Sequence, residues 1–193
     1  MTKRLVILAS GNGSLAQAII DSTRNGTLDA QIVAVLSDQP QAAVIKRAKD
    51  SGIRVIVCKM KSERSKWDDE IDSALEALDA DLILSAGFMR ILAPQTVKKF
   101  QILNSHPALL PHFPGAHAVR DAIEAGVTET GTTIHWVDQG IDTGQIIAQE
   151  KIQILASDTE EVLHERIKVI ERRLYVETLV QLLPTLEPSH GAT

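Results

Sequence analysis

The chain has 193 residues, 44% hydrophobic and 23% charged, with a formal net charge of −5. That length suits one α/β domain, and with aromatics at only 3% the core must be filled by aliphatic side chains. The acidic balance argues against a general nucleic-acid surface, since phosphate binding needs a basic face. No apolar stretch reaches membrane-spanning length, and the amino-terminal apolar run is too short for a signal peptide.

Leu5-Val6-Ile7-Leu8-Ala9 is a continuous apolar run, the pattern of a buried parallel strand. Ser10-Gly11-Asn12-Gly13-Ser14 then turns the chain into a helix that begins Leu15-Ala16-Gln17. Free N–H groups at such a helix start favour an anion, and the plain alternative is a tight turn with Ser14 as cap. The turn is neither a Walker A loop nor a GxGxxG fingerprint, so it does not point to ATP or NAD. Strands are expected over 31–36, 54–58 and 82–84, with helices over 41–51 and 67–78 between them. This alternation predicts a doubly wound, mostly parallel α/β sheet covered on both faces, with ligands beyond the carboxyl ends of the strands.

The segment Ser85-Ala86-Gly87-Phe88-Met89-Arg90-Ile91-Leu92 is an apolar loop at a strand end. It reads either as the lining of a pocket for a flat ligand or as a second core layer. Pro94 opens a short helix, and 101–103 is the end of another strand. Asn104-Ser105-His106-Pro107-Ala108-Leu109-Leu110-Pro111-His112-Phe113-Pro114-Gly115 follows, and its three prolines predict a stiff, mostly extended loop. A helix over 117–125, strands over 132–137 and 145–153, and a long amphipathic helix from a Ser157…Glu160 capping box to Pro184 complete the domain. The apolar face of that helix is expected to include Val162, Leu163, Ile167, Ile170 and Leu174. One domain is expected over 1–185, with a polar tail over 186–193. The exposed face of helix 67–78 is where a homodimer could form.

Asn104, His106 and Asp142 carry the chemistry. The i, i+2 spacing of Asn104 and His106 puts both side chains on one face if strand geometry persists. An amide N–H can stabilise an oxyanion, an imidazole can move a proton, and a carboxylate can fix its orientation. That set suits acyl transfer. Ser105 faces away from His106, no GxSxG is present, and Cys58 has no candidate partner, so direct attack by an amine fits better than an acyl-enzyme. His112 is read as exposed, His117 as a possible pocket residue and His135 as either core or functional. No metal-ligand spacing is present, and no metal is expected.

Ser-Gly-Asn-Gly-Ser, Ala-Gly-Phe-Met-Arg-Ile-Leu, Asn-Ser-His-Pro-Ala-Leu-Leu-Pro-His-Phe-Pro-Gly and Gly-Ile-Asp-Thr-Gly occur in that order. They resemble the phosphoribosylglycinamide formyltransferase family, over residues 4–183. The resemblance implies 10-formyltetrahydrofolate as co-substrate and 5-phosphoribosylglycinamide as formyl acceptor, both small molecules, in de novo purine synthesis in the cytoplasm. Among related folate enzymes, those with an extra domain at either end do not fit this length. The resemblance assigns substrate phosphate to Gly13, Ser14 and Leu15, although a side-chain amide is common where Leu15 stands. It assigns the folate walls to Met89, Arg90, Ile91 and Leu92 and to Asp138, Gln139, Gly140 and Ile141. It gives Arg64 to the substrate phosphate or the folate end, and Glu171 to the glycinamide end of the substrate. The family's common Asn-Ile-His and Asp-Gly-Gly are Asn104-Ser105-His106 and Asp142-Thr143-Gly144 here. Two rival readings are a deformylase that passes the formyl group to water and a non-catalytic folate- or nucleotide-binding module.

Overall fold

The computed structural model describes residues 2–187, so most of the expected polar tail, 188–193, lies outside the described residues. The strands are β1 Lys3–Leu8, β2 Ala30–Ser37, β3 Val55–Val57, β4 Leu82–Ser85, β5 Ile102–His106, β6 Glu129–Trp136 and β7 Ile146–Gln153. The helices are α1 Ser14–Arg24, α2 Ala43–Asp50, α3 Arg64–Glu76, α4 Pro94–Lys99, α5 Ala118–Glu124 and α6 Glu160–Leu182. The sheet runs in the order β3-β2-β1-β4-β5-β6-β7. The first five strands in chain order pair in parallel, whereas β5–β6 and β6–β7 are antiparallel. Strand order reverses between β1 and β4, which opens the crevice where doubly wound sheets hold ligands.

Strand alternation sends successive side chains to opposite layers. Leu5 and Ile7 of β1 and Leu103 of β5 pack with α1, α2 and α6, while Val6, Leu8 and Ile102 pack with α3. On the α3 side, Trp67 is fully buried and its indole N–H donates to Cys58 O at 2.8 Å. On the other side, the buried Tyr175 hydroxyl donates to Leu103 O at 2.9 Å. Each large aromatic thus buries its ring and satisfies its polar end.

Several local expectations change. β5 runs through His106, so Asn104 and His106 belong to the strand and share its α3-side face. Residues 107–115 are compact turns instead of an extended loop. The prolines forbid helix there, but Phe113 reverses the chain through the left-handed region at φ 54°. Thr159, and not Ser157, caps α6 by accepting from Val162 N, because Asp158 is engaged with Leu155 N and Arg166. The buried face of α6 is Leu163, Ile167, Tyr175 and Leu179, whereas Val162, Val169 and Val180 are exposed. Among the described residues, no helix is long and apolar enough to cross a membrane.

Candidate active site

Asn104 and His106 reach the rim as the last alternating pair of β5. Antiparallel pairing sets His135 of β6 directly opposite Asn104. Trp136 O accepts from His135 Nδ1 at 2.9 Å, which leaves Nε2 as the acceptor of the neutral ring. Asn104 Nδ2 donates to that Nε2 at 3.2 Å and keeps its second hydrogen for another acceptor.

Asp142 arrives by an unexpected route. β6 is antiparallel to β5, so its carboxyl end lies level with the start of β5, where Val137 N donates to Ile102 O at 2.8 Å. The rule that sites lie beyond strand carboxyl ends therefore does not bring the 138–142 segment to the rim. The loop between β6 and β7 doubles back over the α3-side face instead. Two glycines permit this fold. A Cβ on Gly144 would lie 1.7 Å from Trp136 O, and one on Gly140 would lie 2.0 Å from Thr143 Oγ1. The Thr143 hydroxyl, where the family pattern has glycine, donates to Asp138 Oδ1 at 2.7 Å, and Gly140 N donates to the same oxygen at 3.0 Å. Asp138 thus ties the turn, and its carboxylate is engaged within it.

His106 is 4% exposed and held at both nitrogens. Phe113 O accepts from Nε2 at 2.7 Å, and Nδ1 lies 3.3 Å from Asp142 Oδ2. The same Oδ2 accepts from Gly115 N at 2.8 Å, and Asp142 Oδ1 lies 3.5 Å from His135 Nε2. Phe113 and Asp142 both have φ 54°, an uncommon conformation for residues with a Cβ. Such strain costs on the order of 1–3 kcal/mol per residue and persists where surroundings over-determine it. Here the two strained residues supply the two acceptors that grip one imidazole.

With Nε2–H given to Phe113 O, a proton between Nδ1 and Oδ2 belongs to the His106–Asp142 pair as a unit. Burial draws the His106 pKa below its ordinary value, against the opposing pull of Asp142 and Phe113 O. Burial pushes the Asp142 carboxyl up, but the close approach of His135, the hydrogen bond from Gly115 N and the nearby His106 imidazole outweigh it, and its pKa is lowered.

The loop after β1 holds Gly13 at φ 76° as the residue preceding α1, with no side-chain cap. Ser14 is thus the first helical residue and not the cap. A Cβ on Gly13 would sit 2.5 Å from Val44 Cγ2, so the loop packs hard against α2. Arg47 of α2 donates to Asn12 O at 2.8 Å and to Asn12 Oδ1 at 2.9 Å. A trans peptide points its C=O and the next N–H to opposite sides, so this grip turns Gly13 N–H away from α2. The Leu15 side chain is buried in the core, so only its backbone can serve an anion.

The segment after β4 is clamped by the framework. Met89 N donates to Ser10 Oγ at 2.9 Å, Arg90 Nε to the buried Asp38 Oδ2 at 2.7 Å, and Arg64 Nη2 to Ile91 O at 2.5 Å. Arg64 also lies 5.0 Å from the Trp67 ring centroid. Both arginines expected near folate thus help to hold this loop, Arg64 also pairing through Nε with Asp68 of its own helix at 2.6 Å. Its apolar side chains are left outward, with Met89 71% and Ile91 65% exposed, and Ile141 on the doubled-back loop is 54% exposed. Leu92 packs instead on the α3-side core, and Gln139 and Gly140 lie in the exposed part of the turn.

Glu171 is separate from the His106 cluster. It lies on α6, on the other face of β5, and accepts from Ser105 Oγ at 2.7 Å. Burial pushes its carboxyl up, against Ser105 and the charges of Lys168 and Arg172. His112 and His117 are exposed, the latter at the start of α5. Among the described residues, no group of three or more His, Cys, Asp or Glu side chains is arranged so that it could hold a metal ion.

Sequence reasoning left His135 undecided and missed Asp38, Arg47 and the carbonyl of Phe113. Antiparallel pairing of 132–137 with 102–106 was the signal that sets His135 beside Asn104. The others depend on loop geometry with no local signature.

The formyl transferase family model matches residues 3–179. The phosphoribosylglycinamide formyltransferase of Mycobacterium tuberculosis is 45% identical over 98% of this chain and 87% of its own length. The trifunctional purine biosynthetic protein adenosine-3 of Bos taurus is 43% identical over 91% of this chain, a stretch that is 18% of that larger protein. The crystal structure of phosphoribosylglycinamide formyltransferase from Bacillus halodurans matches with a TM-score of 0.90 at 41% identity, over 96% of this chain and 97% of that one. The chain belongs to the formyl transferase family, among its phosphoribosylglycinamide formyltransferases.

Proposed function

We propose that this formyltransferase moves the formyl group of 10-formyltetrahydrofolate to the amine of 5-phosphoribosylglycinamide in purine biosynthesis, in the cytoplasm, by direct amine attack. The observation that carries the mechanism is the two-sided grip on His106 by Phe113 O and Asp142, beside an Asn104 amide with one hydrogen to spare. The folate lies against Met89, Ile91 and Ile141, and the substrate phosphate meets the N–H groups of Gly13, Ser14 and Leu15.

The amine nitrogen attacks the formyl carbon, and the carbonyl oxygen becomes an oxyanion. Asn104 Nδ2–H donates to that oxygen. The N–H that His106 now gives to Phe113 O is the donor the ring can turn toward it, since Nδ1 faces Asp142. The ring begins uncharged because burial disfavours the cation. The oxyanion and Asp142 together supply the negative charge that offsets burial as the tetrahedral adduct forms. The attacking nitrogen releases a proton, which Asp142 passes, through water, to the leaving folate nitrogen as its bond to the formyl carbon breaks. Glu171 accepts from the amine substrate on the α6 side of β5.

The test mixes enzyme with the formyl-folate and follows folate absorbance with and without the amine substrate. The expected result is turnover that requires the amine. Formate release at the same rate without it would make the enzyme a hydrolase, and binding without turnover would make it a carrier.

A further inference from the structure

Helix α6 is tied to β5 by two hydrogen bonds in step. The Tyr175 hydroxyl donates to Leu103 O at 2.9 Å, and Ser105 Oγ donates to Glu171 Oε1 at 2.7 Å. Two strand residues rise about 6.6 Å and four helix residues about 6 Å, so the pairs match when helix and strand run in opposite directions. The Tyr175 bond is buried in the core that joins α1, α6 and the sheet. The Ser105 bond lies at the rim, with both residues half-buried. Tyr175 and its apolar neighbours therefore fix the helix, and docking does not need the second bond. What that bond fixes is the direction of one carboxylate.

We infer that Ser105 is a positioning residue for the amine substrate: its hydroxyl engages Oε1 of Glu171 and leaves Oε2 to accept the substrate's N–H or O–H donors. The inference rests on the reading above that Glu171 meets that substrate. The hydroxyl stands where the family pattern has isoleucine, so this support belongs to the present chain. The alternation of β5 makes it possible, because Ser105 faces α6 while Asn104 and His106 face the opposite layer.

The bond also bears on the charge of Glu171. Burial favours its neutral form. Ser105 from β5 and Lys168 and Arg172 from α6 favour the carboxylate, and the Tyr175 hydroxyl is the remaining titratable neighbour. The α1 side chains in the same core, Leu15, Ala16 and Ile19, are apolar. Without the Ser105 hydroxyl the carboxyl takes its proton at higher pH and loses an acceptor there.

The test measures kcat and both KM values across pH for the wild type, Ser105→Ala, Ser105→Thr and Glu171→Gln. Ser105→Ala is expected to keep kcat within about twofold and raise the amine KM about three- to tenfold on the acid side of the profile. Its KM for the formyl-folate stays at the wild-type value. Its acid limb moves to higher pH, and Ser105→Thr restores the wild-type profile. If Glu171→Gln raises the amine KM while Ser105→Ala leaves the profile unmoved, this inference fails alone. If Ser105→Ala raises that KM equally at every pH and Ser105→Thr does not restore it, the effect is one of packing and the inference fails. If Glu171→Gln leaves the amine KM unchanged, the reading of Glu171 fails and takes this inference with it.

Discussion

Asp142→Asn separates the charge of the His106 clamp from its shape. The carboxylate accepts from Gly115 N at 2.8 Å and lies 3.3 Å from His106 Nδ1 and 3.5 Å from His135 Nε2. An amide of the same size keeps one oxygen for Gly115, so the loop can still close. It offers neither imidazole a negative charge, and it cannot carry a proton between two nitrogens. His106 then loses the pull that opposes burial, and its cation becomes harder to form as the oxyanion develops. A positioned acid–base group is worth about 10²–10⁴ in rate, or roughly 3–5 kcal/mol of barrier, so kcat should fall about a thousandfold. Exchanging charge-assisted contacts for neutral ones costs folding about 1–3 kcal/mol, with about 2–4 °C of melting temperature per kcal/mol in a chain of this size. The assay pairs folate absorbance under single-turnover conditions with a thermal melt. A variant that melts normally and turns over within about tenfold of wild type would refute the proton-relay role.

Three further outcomes follow from the same geometry. Arg64→Ala removes the bond to Ile91 O, so the KM for the formyl-folate should rise about tenfold while the amine KM holds; equal rises in both would show a general loosening. Gly144→Ala forces a Cβ to within 1.7 Å of Trp136 O, so the β6–β7 loop must move; the expected loss is about 3 kcal/mol or more in urea unfolding, and a neutral substitution would contradict so close an approach of the two backbones. Stability should fall as pH drops below 6.5, the ordinary His value, because the folded chain holds His106 neutral and the unfolded chain takes the proton first. The lowered Asp142 pKa adds a second loss, below its ordinary 3.8. His106→Asn should shrink the first limb, leaving the part due to His164, whose pKa burial also lowers, and identical urea midpoints for both proteins from pH 7 to 5 would exclude His106 as a source.

The parallel half of the fold is legible in the sequence because each element carries its own period. Leu5–Ala9 is apolar throughout, and α3 repeats Trp67, Ile71 and Leu75 at helical spacing. The site is only half legible. Asn104 and His106 stand out as polar groups closing an apolar strand, and the Gly11–Gly13 turn stands out by composition. Asp142 is visible as a residue, but its path to His106 is not, since it depends on β6 being antiparallel and on two glycines that let a loop double back. Phe113 is hidden for a related reason: what matters there is a carbonyl, and any side chain could stand beside it. The resemblance gives Arg64 to the substrate phosphate or the folate end and Arg90 to a folate wall, but a rim arginine has no local sign of its partner within the protein. Their partners, Ile91 O and Asp38, are supplied by tertiary contacts 27 and 52 residues away.

The alternation of β5 explains why two substrates can meet here without sharing a binding surface. Ser105 faces α6, the layer that also packs α1 and its anion-ready first turn. Asn104 and His106 face the α3 layer, where Phe88 and Leu92 anchor the apolar wall. Under the proposed function, the anionic substrate would approach from one layer and the flat apolar one from the other, with only the end of the strand between them. One residue of slippage in β5 would send His106 toward α6 and Ser105 toward Asp142, exchanging the two chemistries. The burial of the Leu103 side chain in the α6-side core guards against that slip, because a one-residue shift puts the polar Asn104 or the α3-side Ile102 in its place. The catalytic layer is thus kept in register from its opposite face.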